Sequence, residues 1–142
     1  GKANTHHMLV VGCNDDGIDY DEGYRGDNQF IVVYQVEGAG DHGGEHDGGN
    51  KPDDSQPYAR PVISNVTYIG SGANSGNTKS AGLMLRDNAG GKYYNSIFTG
   101  FFCLATFSFG KMIKNAPSTI SSGIKLGASP INLCCNIICF SP

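Results

Sequence analysis

The sequence has no tryptophan, 6 prolines and only 16% charged residues in 142, and no acidic residue follows Asp87. No stretch carries a sustained 3.6-residue apolar period, which excludes a helical bundle. No apolar run approaches the roughly 18 residues of a membrane-spanning helix. The 5 cysteines, Cys13, Cys103, Cys134, Cys135 and Cys139, include no Cys-x-x-Cys pair and no companion histidine spacing, so a zinc ribbon is a poor reading. Small buried apolar thiols, with one disulfide at most, fit better.

What the chain has in abundance is glycine, 21 residues, set among short β-branched and aromatic runs such as 30–34, 66–69 and 137–140. That mixture predicts an all-β chain of short strands and many turns. Its length fits one domain with its own core. The formal charge of -3 conceals an uneven distribution. Between Asp15 and Asp54 stand 12 acids against Arg25 and Lys51, a local balance of 2 - 12 = -10. Such a surface repels phosphate backbones and attracts cations, so nucleic acid is an unfavourable partner.

Internal repetition is the most informative pattern. Asparagine-led apolar segments recur at Asn28, Asn65, Asn95, Asn115 and Asn136, with His7 in the same frame. His7 to Gly12, Asn65 to Gly70 and Asn95 to Gly100 share one spacing. A second column follows in 16–21, 42–47, 81–87, 102–107 and 122–127. The shortest anchor steps, 20 and 21 residues, suit one coil of a parallel β-helix and are too short for helix-pair repeats. Asparagine at a fixed turn has a physical reason, since it tolerates the left-handed conformation and can ladder between stacked coils. The expected fold is therefore an all-β, right-handed parallel β-helix of about six short coils. It would span 1–142 as a single domain, with an acidic loop insert at 38–61 and divergent coils over 103–142. The opening run Lys2 to Val11 enters a strand without lead-in, as expected of a portion of a longer solenoid. Open coil ends would allow homo-oligomers by β-augmentation.

The segments 12–35, 40–47, 60–72 (RPVISNVTYIGSG) and 83–101 (LMLRDNAGGKYYNSIFTGF) resemble uncharacterised bacterial secreted proteins and lipoproteins with right-handed, pectate-lyase-like β-helices. Residues 15–26, DDGIDYDEGYRG, are the most specific stretch, and the likeness covers about 3–102. The resemblance implies a secreted or cell-surface location and a non-enzymatic scaffold or binding module, with a polysaccharide or surface glycan as partner. Polygalacturonases and pectate lyases are a weaker likeness through the DGID segment. The polygalacturonase pattern wants a further Gly-His-Gly, whereas His42 is preceded by Asp41. A lyase wants a catalytic Arg or Lys, and Arg25, Arg60 and Arg86 are the only arginines. The alternatives are thus a polysaccharide-active enzyme using acids among Asp15, Asp16, Asp19 and Asp41, and a self-assembling structural protein.

Aligning the second column on Gly17, Gly43 and Gly82 puts Asp19, Glu45 and Met84 in one stack and Asp21, Asp47 and Arg86 in the next. Carboxylates at strand spacing repel unless a cation or a proton intervenes. Asp15, Asp16, Asp19, Asp21, Glu22 and Asp47 are accordingly the candidate metal ligands, with Ca²⁺ as the expected ion. Pairing with Arg25 and Arg86, or a catalytic carboxylate pair, would answer the same repulsion. His42 and His46 read as solvated loop histidines, because an i,i+4 pair converges only on a helix. The tyrosines at 20, 24, 58, 68, 93 and 94 read as inward-stacked more readily than as a sugar platform.

Overall fold

The computed structural model describes residues 1–49, 51–52, 55–72, 77, 80–107, 132–133 and 138–140. Among the described residues every regular element is a strand: β1 (Thr5–Val11), β2 (Ile18–Tyr20), β3 (Asp27–Tyr34), β4 (His42–Asp47), β5 (Val62–Ile69), β6 (Ala81–Arg86), β7 (Lys92–Tyr94), β8 (Ile97–Thr99), β9 (Cys103–Phe107), β10 (Asn132–Leu133) and β11 (Ile138–Phe140). All pairings are parallel and join strands of successive coils. One sheet runs β1-β3-β5-β7-β10, with β8 and β11 continuing it alongside, and the second runs β2-β4-β6-β9. This is a parallel β-helix, and the described residues make up four coils and the leading strands of a fifth.

The large sheet is folded along a line of left-handed residues. His7, Phe30, Asn65 and Asn95 have φ of 57°, 56°, 54° and 45°. The strand register breaks at these same positions, with pairs such as Gln29↔Ser64 and Ile31↔Val66 on either side. The sheet thus becomes two flat faces, and with the second sheet these make a three-sided coil. Asn95 donates to the Asn65 side-chain oxygen at 3.3 Å, while His7 stacks on Phe30 with centroids 5.1 Å apart. The turn residue of the second coil is therefore Phe30, two positions beyond the expected Asn28. Asn28 instead lies opposite Thr5 and Ile63 inside the regular ladder and is buried. The repeat was legible, but its phase in that coil was set by burial rather than by asparagine. Asn115 and Asn136 lie outside the described residues.

Inside, equivalent positions stack into columns. Ile31 lies opposite Val66, and Val33 opposite Tyr68, which in turn lies opposite Phe98. The Tyr68 and Phe98 rings are stacked, 4.7 Å apart and nearly parallel at 4°. Burial of Ile31, Ile63, Val66, Tyr68, Leu83, Tyr93 and Phe98 supplies the apolar driving force. Gly70 closes the second face because the coils come too close for a side chain: a Cβ there would meet the Gly100 carbonyl oxygen at 2.4 Å.

The acidic segment 38–61 differs from expectation. Residues 42–47 do not project from the coil but form β4, a central strand of the second sheet, because Gly43 and Gly44 allow close approach to the neighbouring coils. In 103–142, β9 pairs with β6, β10 with β7 and β11 with β8, extending the same sheets. Cys134, Cys135 and the Cys139 side chain lie outside the described residues, and Cys13 and Cys103 are free thiols. Among the described residues no helix is long and apolar enough to cross a membrane.

Candidate functional site

The second sheet places the acids. Ile18, Asp19 and Tyr20 pair with Gly44, Glu45 and His46, and Glu45 and Asp47 pair with Met84 and Arg86, as the glycine alignment anticipates. Strict alternation fails at one place. Cβ atoms built on Gly43 would point into the core, 2.9 Å from Phe101 and 3.0 Å from Tyr68, and on Gly44 would meet the buried His46 ring at 2.7 Å. Two consecutive inward positions bring His42 and Glu45 to the outer side together, although residues three apart on a regular strand face opposite ways. His42 Nδ1 lies 2.7 Å from Asp16 Oδ1 and 3.7 Å from Glu45 Oε2. The three ligand atoms lie within 4.8 Å of one another.

Asp16 is doubly held, since its Oδ1 also accepts the His42 backbone N–H at 2.8 Å. Its bond to the ring raises the His42 pKa above the usual imidazole value, against the opposing effect of burial. Arg86 donates from Nε to Asp47 Oδ1 at 2.8 Å and from Nη2 to Asp47 Oδ2 at 2.6 Å, and also bonds Glu45 Oε1. The Glu45 carboxyl is nevertheless raised, because burial, and Asp16 after it, outweigh the arginine. Asp19 is raised by burial and then by Asp16 and Asp47. Burial and then Asp19 push Asp21 up as well. A wall with several raised carboxyls and one bidentate arginine can bind cations or accept hydroxyl hydrogen bonds.

Of the residues expected to hold a metal, Asp16, Asp19, Asp21 and Asp47 share this wall and feel one another's charge. Asp15 and Glu22, exposed like Asp19 and Asp21, add to the wall's charge, Asp15 acting on Asp19 and Glu22 on Asp21. Asp15 serves through its backbone carbonyl, which accepts the Asp41 N–H at 3.0 Å, and Glu22 occupies a turn with φ of 26°. Arg86 compensates Asp47 as foreseen, whereas the described contacts of Arg25 are a backbone bond to Gly1. Asp53 and Asp54 lie outside the described residues. The sequence reading missed His42 and Glu45 as partners of Asp16. The Gly-Gly pair between them was the one available signal.

Neither His42 nor His46 is solvated: they are 6% and 0% exposed. His46 points inward, stacked on Tyr20 at 4.0 Å. Its Nδ1–H donates to the Glu45 carbonyl at 2.6 Å, and its Nε2 accepts from Tyr93 Oη. Burial lowers its pKa to about 3. Tyr20, Tyr68 and Tyr93 are core residues, in line with inward stacking. Beside the first coil lies a cavity of about 350 Å³ whose lining includes Met8, Ile18, Tyr20, Tyr24 and Ile31.

Parallel coils, a left-handed turn ladder and a charged outer wall define a β-helix of the kind that displays side chains from a stacked sheet. Residues 1–125 match the family described as pectate-lyase-like β-helix domain, and the chain belongs to that family. No curated protein and no solved structure matches it.

Proposed function

We propose that this β-helix is a non-enzymatic, secreted or cell-surface scaffold whose second sheet binds neutral glycans. One observation carries the reading: Asp19, His42, Glu45, Asp47 and Arg86 converge on the outer face of three neighbouring strands, with Asp16 in the turn just before the first. Carboxylates at fixed spacing accept hydrogen bonds from vicinal hydroxyls, and the arginine donates to ring and hydroxyl oxygens. The excess of acid disfavours a polyanionic chain. In affinity electrophoresis with xylan, mannan, mixed-linkage β-glucan and polygalacturonate, at least one neutral polymer should retard the protein. Polygalacturonate should not, in the presence of chelator. An Asp19→Asn/Asp47→Asn variant with an unchanged far-UV spectrum should lose the retardation. Equal retardation of that variant, or none by any neutral polymer, would refute the reading.

A second reading, a polysaccharide-cleaving enzyme, is favoured by the Asp19 carboxyl, raised by burial and then by the charge of Asp16, since a carboxyl that keeps its proton is what a general acid requires. It predicts reducing ends released by the wild type and not by Asp19→Asn. Of the other acids expected for such chemistry, Asp15 and Asp41 are joined through their backbones.

A further inference from the structure

We infer that Asp16, His42 and Glu45 form a binding site for a borderline divalent cation of the zinc class, set into the outer wall of the second sheet. The inference goes beyond the glycan reading and does not need it. Its donor set is one imidazole nitrogen and two carboxylate oxygens from adjacent coils, with ligand atoms within 4.8 Å of one another. Ligands at zinc distances of about 2.0–2.2 Å stand about 3.4 Å apart in tetrahedral geometry. The two separations from the imidazole, 2.7 Å and 3.7 Å, bracket that value, and Asp16 and Glu45 stand within 4.8 Å of one another, so side-chain adjustments of about 1 Å bring the three into coordination range. An imidazole donor favours such metals over Ca²⁺, which takes oxygen ligands.

A second feature is the way the ligand residues are already held by backbone, glutamine and arginine bonds. Asp16 is fixed by the His42 N–H at 2.8 Å. Glu45 has Oε1 engaged by Arg86, and it is the other oxygen, Oε2, that lies toward the imidazole. The carbonyl of His42 accepts the Gly17 N–H at 3.1 Å and the Gln35 side-chain amide. Outer bonds of this kind orient metal ligands and tune affinity. The side chains of Asp16 and His42 are 5% and 8% exposed against 19% for Glu45, so solvent or a sugar hydroxyl would complete the coordination from the Glu45 side. On binding, Nδ1 loses its proton and its lone pair takes the metal: from the imidazolium that proton leaves to solvent, and from the neutral ring it is replaced by one on Nε2.

Calorimetric titration of Zn²⁺ into chelator-treated, folded protein, without glycan, tests this. One saturable site is expected, weakened about 100-fold or more in His42→Gln and in Glu45→Gln. It should be unchanged in the paired control His6→Gln/His7→Gln, and Ca²⁺ should bind at least about tenfold more weakly. Co²⁺ substitution should give visible d–d bands without the near-ultraviolet thiolate band that Cys13 or Cys103 would produce. Should His42→Gln fail to fold by far-UV dichroism, Glu45→Gln, at the most exposed of the three side chains, decides alone. No saturable Zn²⁺ site, or one that survives Glu45→Gln, would overturn the inference. Loss of it with retained glycan retardation would leave the proposed function standing.

Discussion

His42 and His46 stand four residues apart on one strand, and their surroundings differ in almost every respect. His42 faces outward against Asp16 and Glu45 and holds its proton more tightly than a free imidazole. His46 faces inward, pressed on Tyr20 and bonded to Tyr93, and stays neutral down to about pH 3. The strand delivers both because its alternation slips at Gly43 and Gly44. A β-helix wall therefore separates a charged exterior from a hydrogen-bonded core across one strand's thickness, and the slip chooses which side chain goes where.

The inner side of the comparison breaks first. Tyr93 is fully buried, so Tyr93→Ala should cost about 3–5 kcal/mol by cavity formation and loss of contacts. Tyr93→Phe should cost about 1–3 kcal/mol by leaving His46 Nε2 without a donor. Denaturant unfolding measures both. On the outer side, Arg86→Ala should cost only about 1–2 kcal/mol, since the arginine side chain is 36% exposed and solvent screens what it gives up. Its effect should shrink in high salt, unlike that of Tyr93→Phe.

Acid should separate the two histidines further. The His46 pKa is lowered on folding, so the unfolded chain takes up the proton first. Its contribution is complete above about pH 6.5 and is lost as pH falls toward 3, with a limiting slope of about 1.4 kcal/mol per pH unit. For His42 the sign reverses: its pKa is raised, so its stabilisation is complete below the unfolded value and fades as pH rises through the folded one. In chelator, His46→Phe should flatten the acid limb of stability against pH, and His42→Gln the alkaline limb. The smallest expected effect lies at the turn ladder. Phe30 holds φ of 56°, unfavourable for a bulky side chain. Phe30→Asn should be neutral or stabilising by up to about 1 kcal/mol, whereas Asn95→Ala should cost about 1 kcal/mol.

The sequence made the coil visible because its columns rest on local chemistry: glycines at close approaches, asparagines at left-handed turns and β-branched residues facing inward. The alignment of Asp19 with Glu45 and of Asp47 with Arg86 followed from those glycines alone. Two things escaped. Phe30 occupies a turn that its chemistry does not announce, because stacking on His7 compensates its backbone. The Asp16, His42 and Glu45 group was hidden because period-two reasoning puts residues 42 and 45 on opposite faces, and only the backbone reveals the slip. Within 38–61 two expectations met, a column member at 42–47 and a loop insert, and pairing between β2 and β6 decides for the column.

The most direct test is the tautomer and titration of these two rings by long-range ¹H–¹⁵N correlation. His46 should remain neutral, with its proton on Nδ1, from pH 8 to pH 4, while His42 titrates above 6.5. If both rings took up a proton together near pH 6.5, β4 would not divide core from charged wall, and the account would be wrong.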